Sequence, residues 1–328
     1  MNNNYTKRLL AHDSVGLIAA LIILIMFFAT QSEYFLSATT FTTLANQMPA
    51  LLVISVGMTF VLIIAGIDLS VGSVMALCGA VLGLAMVVGH MPLWLAAFLC
   101  LAAGMACGLL NGLTVTTWGV PSFIVTLGML EVARGGAYLL TGSKTLYIGS
   151  QVEFISTPIA GINLSPAFFV AIGVVILGQL ILSKTVFGRY IIAVGSNEEA
   201  VRLSGIRLDR IKLAVYGIAG VLAGLGGLFN TAYLQSADPN AGIGLELSAI
   251  AAVVVGGTSL SGGKGSVVNT LLGVMIIAVL QTGLAQIGAN EPSKRVITGL
   301  VIIAAVIIDV YRNRSGGIGG YFKRVLGR

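Results

Sequence analysis

LWLAAFLCLAAGMACGLLNGLTVTT, residues Leu93 to Thr117, runs for 25 positions without a charged side chain. As a helix rising 1.5 Å per residue it is about 38 Å long, enough to cross a hydrocarbon core about 30 Å thick. In lipid, only a helix or a closed barrel satisfies all its own backbone N–H and C=O groups. Outward from this stretch the pattern recurs. Val15 to Thr30, Met48 to Ile67, Val71 to Gly89, Ala167 to Leu182, Leu213 to Tyr233, Val267 to Gly288 and Val296 to Ile308 are apolar runs of span length or near it. Val120 to Leu140 qualifies if Glu131 and Arg134 are tolerated inside. Overall, 57% of the 328 residues are hydrophobic and 9% charged, against roughly 25% charged in soluble domains. The mean hydropathy is +1.00. The expected fold is all-α: a polytopic integral membrane bundle of about ten transmembrane helices.

The net charge of +6 is grouped. Lys7 and Arg8 precede the first run. Lys184, Arg189, Arg202, Arg207, Arg210 and Lys212 surround a polar stretch in the middle. Arg312, Arg314, Lys323, Arg324 and Arg328 form the C-terminal tail. Positively charged loops stay on the cytoplasmic side. Both termini and the central stretch are therefore expected inside, with an even number of spans. Topology accounts for these clusters, which excludes nucleic acid as a partner. The expected organisation is a cytoplasmic tail over 1–14, one membrane domain over 15–312 with a cytoplasmic region at 188–212, and a cytoplasmic tail over 313–328. The first run has no small-residue cleavage site soon after it and reads as an uncleaved helix. Cys78, Cys100 and Cys107 lie in apolar runs and read as thiols packed between helices. His12 and His90 are isolated, so no metal site is expected.

The central stretch is a polar island, Gly195-Ser196-Asn197-Glu198-Glu199-Ala200-Val201-Arg202-Leu203-Ser204-Gly205. A membrane bundle does not need it. Asn197 suits a helix N-cap, its side-chain oxygen accepting a free backbone N–H. Glu198 and Glu199 place negative charge at the positive end of the helix dipole, and Arg202 places positive charge at the other. Gly205 can adopt the left-handed conformation that closes a helix. Ala200, Val201 and Leu203 leave it apolar surface. The island reads as a short capped helix offered to another protein.

One run is too short. Leu247 to Val255 supplies about nine largely apolar residues, roughly 13 Å of helix. Either Gly256-Gly257 breaks a helix in mid-membrane, or Glu246 and its neighbours dip inward. A weak internal repeat frames it. Gly66-Ile67-Asp68-Leu69-Ser70-Val71-Gly72-Ser73-Val74 resembles Gly257-Thr258-Ser259-Leu260-Ser261 followed by Gly265-Ser266-Val267, and each opens a new span. Glycine-interrupted segments at matching positions point to a translocation path. Gly217, Gly220 and Gly224 suit close helix packing.

Residues 262–266, Gly-Gly-Lys-Gly-Ser, do not make a phosphate loop: Lys264 is followed by glycine, and Thr258 stands where the first glycine belongs. The chain is expected to bind no cofactor of its own. Asp68 reads either as part of the path or inner gate, with Asp68 or Ser70 capping the next helix, or as a solvated carboxylate in a tight turn. Glu131 and Arg134 share a helix face and read as an intramembrane ion pair, with a path-lining or loop-docking role as the alternative. Asn46, Gln47, Asn111, Asn230 and Gln281 could bond a polar solute or hold helices together. The candidate path or gate residues are Asn46, Gln47, Asp68, Ser70, Ser73, Asn111, Glu246, Ser259 and Ser261. No nucleophile–base set or H-E-x-x-H stands out, so an enzyme is not expected.

Three blocks now carry a resemblance. Residues 66–73, the block from Gly188-Arg189-Tyr190 through Asn197-Glu198-Glu199-Ala200 to Leu203-Ser204-Gly205-Ile206, and residues 251–263 look like the ribose-type permeases of bacterial ABC sugar importers. The resemblance covers roughly residues 15 to 312. It implies a homodimer in the inner membrane and a periplasmic binding protein that delivers a monosaccharide. It also implies a cytoplasmic ATPase that holds ATP and Mg and engages Arg189, Asn197, Glu198, Glu199, Ala200, Arg202, Leu203 and Gly205. Rival readings are a branched-chain amino acid permease, which shares the architecture, an ion-coupled secondary transporter, for which Glu131 is the one plausible deep carboxylate, and a channel.

Overall fold

Where the sequence runs apolar, the backbone closes into helix. The structure, a computed structural model, describes residues 3–314, so Lys323, Arg324 and Arg328 of the expected tail lie outside the described residues. In chain order the helices are α1 (Asn3–Gln31), α2 (Ala38–Gln47), α3 (Pro49–Ile63), α4 (Val71–Val87), α5 (Leu93–Thr117), α6 (Ser122–Thr141), α7 (Glu153–Ser156), α8 (Pro166–Lys184), α9 (Val186–Ser196), α10 (Glu198–Leu203), α11 (Leu208–Leu234), α12 (Leu245–Val255), α13 (Val267–Gln286) and α14 (Glu291–Arg314). Two-residue strands β1 (Leu146–Tyr147) and β2 (Ser236–Ala237) pair antiparallel. Six of the described helices are long and apolar enough to cross a membrane, seven if α2 and α3, bent by 50° at their junction, form one span. The chain is an all-helical membrane bundle. Helix α1 starts at Asn3, so most of the expected N-terminal tail continues the first span as helix.

Helix α11 is the axis, packed at once against α3, α4 and α5. Small residues let the backbones close. A Cβ on Gly220 would stand 2.2 Å from the carbonyl oxygen of Gly104 on α5, and one on Gly227 would stand 2.6 Å from that of Met75 on α4. Glycine at these contacts exchanges side-chain area for backbone dispersion, the usual currency between helices in lipid. The opposing pairs also fix direction. Gly104 meets Gly220 and Gly112 meets Leu213, so α5 is antiparallel to α11, while Gly79 meets Thr231 and α4 runs parallel to it. One end of the bundle therefore carries α10 and the start of α11. The other carries the β1–β2 pair and the end of α11.

The chain leaves helix inside the bundle at two places. After α3, residues 64–70 are irregular and reach Asp68, which lies against Asn111, Ala219, Gly220 and Ala223, near the middle of α11. After β2, the chain passes Gly242, whose backbone touches Gly72 at the start of α4, before α12 begins at Leu245. The short span is thus broken at its start rather than at Gly256-Gly257. An irregular segment descends from the far end, and an 11-residue half-helix of about 16 Å completes the passage toward α10.

Candidate functional site

A cavity of about 890 Å³ lies at the end away from α10. Gln47, Met48 and Leu51 reach it from the α2–α3 bend, Asn230 and Tyr233 from the end of α11, Gln281 and Thr282 from α13, Lys294 and Thr298 from α14. The start of α12, from Gly242 to Ser248, forms another wall. Gly242 and Gly244 hold φ of +70° and +83°, which glycine adopts without steric cost. Gln47 Nε2 donates to Tyr233 Oη at 2.9 Å. Amides and hydroxyls stand among apolar side chains beside a half-helix N-terminus, and Glu291, Lys294 and Arg295 add charge on the α14 side, so the lining suits a polar, oxygen-rich solute.

At the other end sits a junction. Asn197 Oδ1 accepts from Ala200 N at 3.0 Å, and Gly205 has φ +78°, so the island is a capped one-and-a-half-turn helix. Glu199 pairs with Arg202, and Glu198 with Lys212 of α11 at 2.7 Å. Val201 is buried and anchors α10, leaving Ala200 and Leu203 outward; Leu203 is 79% exposed. Arg189 is exposed one turn into α9. The far end of α9 is wedged. Gly195 packs on the Ile63 carbonyl at the end of α3 and on Gly263 of the loop after α12, and Gly263 N donates to Ile63 O at 2.8 Å. The start of the island thereby rests on the end of α3 and on the loop that carries the second repeat turn.

The residues of the first repeat turn make a third feature. Asp68 is only 3% exposed, so the solvated turn is ruled out. Its Oδ1 accepts from Ser70 N at 2.9 Å and Ser70 Oγ at 2.6 Å, and Asn111 Nδ2 donates to Ser70 Oγ at 3.1 Å. Ser70 makes no side-chain cap on α4; the carboxylate braces the irregular backbone instead. Ser122 Oγ accepts from Ile67 N, while Thr126 Oγ1 accepts from Leu69 N and donates to Ile67 O. Non-helical backbone at membrane depth persists only where protein groups satisfy it in this way.

The candidate path residues are therefore scattered. Gln47 lines the cavity, as do Asn230 and Gln281. Asn46 does not: its Nδ2 donates to Asn163 O and its Oδ1 accepts from Ser165 N, holding the loop before α8. Ser73 is buried in α4, and Ser259 and Ser261 belong to the loop at the junction end. Glu246 turns back to accept from Gly244 N at 3.2 Å. The Glu131–Arg134 ion pair is not formed among the described residues. Arg134 donates to the carbonyls of Pro239 and Ala241 while Glu131 faces outward, because the free carbonyls of the irregular segment lie within reach of the guanidinium. Sequence reasoning missed Ser122, Thr126 and Gln179. Gln179 Oε1 accepts from Val267 N at 3.0 Å and Val268 N at 3.2 Å, capping α13 from α8; its signal was a lone amide in an apolar run.

Residues 40–306 match a family model described as branched-chain amino acid transport system, permease component. The chain is 40% identical over 295 residues to the ribose import permease protein RbsC of Escherichia coli strain K12, across 88% of this chain and 91% of that one. It is 39% identical to the Bacillus subtilis ribose import permease over 307 residues, 90% of this chain and 92% of that one. A fructose import permease of Bifidobacterium longum is 36% identical over 324 residues, 94% and 90% of the two chains. No solved structure matches.

Proposed function

Because this chain belongs to the ribose-type permeases of ABC sugar importers, multi-pass proteins of the inner membrane, we propose that it carries a monosaccharide inward by alternating access. Two copies form the pathway, a periplasmic binding protein delivers the sugar, and a cytoplasmic ATPase supplies the work with its own ATP and Mg. The cavity then receives the sugar at the outer end, and α10 takes the push at the inner end. The reading has ten passes: α1, α2 with α3, α4, α5, α6, α8, α11, the broken passage ending in α12, α13 and α14. Both termini are cytoplasmic. The approach of Ser14 on α1 to Asn269 near the start of α13, at the α10 end of the bundle, supports this orientation.

The observation that carries the reading is the wedge of Gly195 between the ends of α3 and the 256–266 loop. ATP can shift the permease only by binding one conformation better than another. The end of α9, held between α3 and that loop and continuing into α10, is where that preference becomes displacement. Relatives named for ribose and fructose favour a sugar over a branched-chain amino acid, and the amides of Gln47, Asn230 and Gln281 on the cavity wall can bond its hydroxyls. The test is Glu199→Lys in the assembled transporter. It should remain in the membrane and hydrolyse ATP yet import little sugar; import at the unmodified rate would remove α10 as the coupling element.

A further inference from the structure

On α6, an outer helix whose Phe123, Ile124, Leu127, Val132 and Leu139 are exposed, one charged side chain reaches inward. Arg134 is half-buried, and its Nη1 donates to Ala241 O at 2.8 Å and to Pro239 O. One turn later Tyr138 Oη donates to Asn240 Oδ1 at 2.7 Å. Asn240 is itself folded onto Asp238, whose Oδ1 accepts from Asn240 N at 2.9 Å. The backbone from 239 to 241 is thus held at successive residues from α6. On its other side the chain presses against α4, where a Cβ on Gly72 would meet Gly242 O at 2.3 Å. The next residues, Gly242 to Leu245, form the cavity wall and start the half-helix. Neither Arg134 nor Tyr138 lines the cavity.

We infer that Arg134, assisted by Tyr138, is a positioning residue: it clamps the irregular segment 239–241 from behind and so sets the cavity wall and the origin of α12. The chemistry fits the residue. A carbonyl pair released from helical bonding needs donors at membrane depth, and guanidinium offers several in one plane, whereas an ammonium is a point donor. Orienting the half-helix N-terminus gives this costly intramembrane cation a use. This rests on the reading of the cavity as the sugar's path.

The experiment separates the two claims. Ile243, 54% exposed on the cavity wall, is replaced by cysteine in the full chain; Cys78, Cys100 and Cys107 are buried. Labelling by a membrane-impermeant maleimide is timed with Arg134 intact, with Arg134→Gln and with Arg134→Lys, alongside binding-protein-dependent uptake. A displaced wall should change the labelling rate at least threefold in Arg134→Gln and by less in Arg134→Lys. Uptake should fall at least tenfold in Arg134→Gln. Should Arg134→Gln not accumulate in the membrane, Tyr138→Phe and Arg134→Lys carry the same comparison at smaller amplitude. Unchanged labelling in variants that insert normally overturns the clamp. Altered labelling with unchanged uptake supports the clamp and overturns the cavity as the path.

Discussion

Adding one methyl group at Gly195 should disconnect the island from the pore. A Cβ there would lie 1.7 Å from the Ile63 carbonyl oxygen and 2.5 Å from Gly263 N, the first about half an ordinary contact distance. Both atoms are backbone, and they are the two ends of one hydrogen bond. No rotamer relieves the clash. Helix α9 must back away by roughly 1.5–2 Å to restore contact distance, or the Gly263–Ile63 bond must open. Overpacking costs about 1–3 kcal/mol, and a stranded amide about another 1–3 kcal/mol. The matched controls are other glycines. Gly128 has open space around it, so Gly128→Ala should be neutral or slightly stabilising, since alanine is the better helix former. Gly205→Ala meets nothing but must hold φ +78°, costing about 1–2 kcal/mol. The assay is ATP hydrolysed per sugar imported by the assembled transporter in proteoliposomes, with thermal unfolding of the purified permease beside it. Gly195→Ala should lower the unfolding temperature and cut sugar moved per ATP at least tenfold, while Gly128→Ala matches the unmodified protein. Unmodified stoichiometry and stability in Gly195→Ala would refute the wedge.

Two further outcomes follow from single hydrogen-bond sites. Thr126→Val preserves shape but leaves Leu69 N–H and Ile67 C=O without their hydroxyl partner, so thermal unfolding should show a loss of about 2–4 kcal/mol; Thr126→Ser should retain most of it. Asn197→Ala removes the α10 cap, which should cost about 1 kcal/mol. Hydrogen exchange should then quicken at the α10 amides and not in α11, and Asn197→Asp should restore protection.

Most of the fold was legible because its cause is local and repeated. Charge-free runs such as Leu93 to Thr117 can do little but form helix in lipid, and their ends coincide with α5 to the residue. The island was legible for a similar reason: Asn197, Glu198, Arg202 and Gly205 each obey a rule that needs only neighbours in sequence. The short run at Leu247 was recognised as anomalous, but where its break lay depended on Gly242 meeting Gly72, a contact between residues 170 apart in sequence. Arg134 shows the same limit. Spacing along α6 offered Glu131 as the partner, whereas the carbonyls it holds belong to a segment more than 100 residues away. Asp68 was singled out as an ionisable group at a membrane segment; that it is buried, bonds Ser70 and stands apart from the cavity lining depends on how α4, α5 and α11 pack around it. Among the polar candidates, Gln47, Asn230 and Gln281 share a cavity only because the α2–α3 bend and the ends of α11 and α13 away from α10 converge.

The central claim is that this subunit performs no work alone and is driven through α10 by a nucleotide-hydrolysing partner. The direct measurement is accumulation of the radiolabelled monosaccharide that the cognate binding protein holds, in sealed vesicles containing the purified chain, with and without the ATPase, the binding protein and ATP. Concentrative uptake is predicted only in the complete mixture, and it should vanish when any one component is withheld. Accumulation against a gradient by this chain alone would contradict the account.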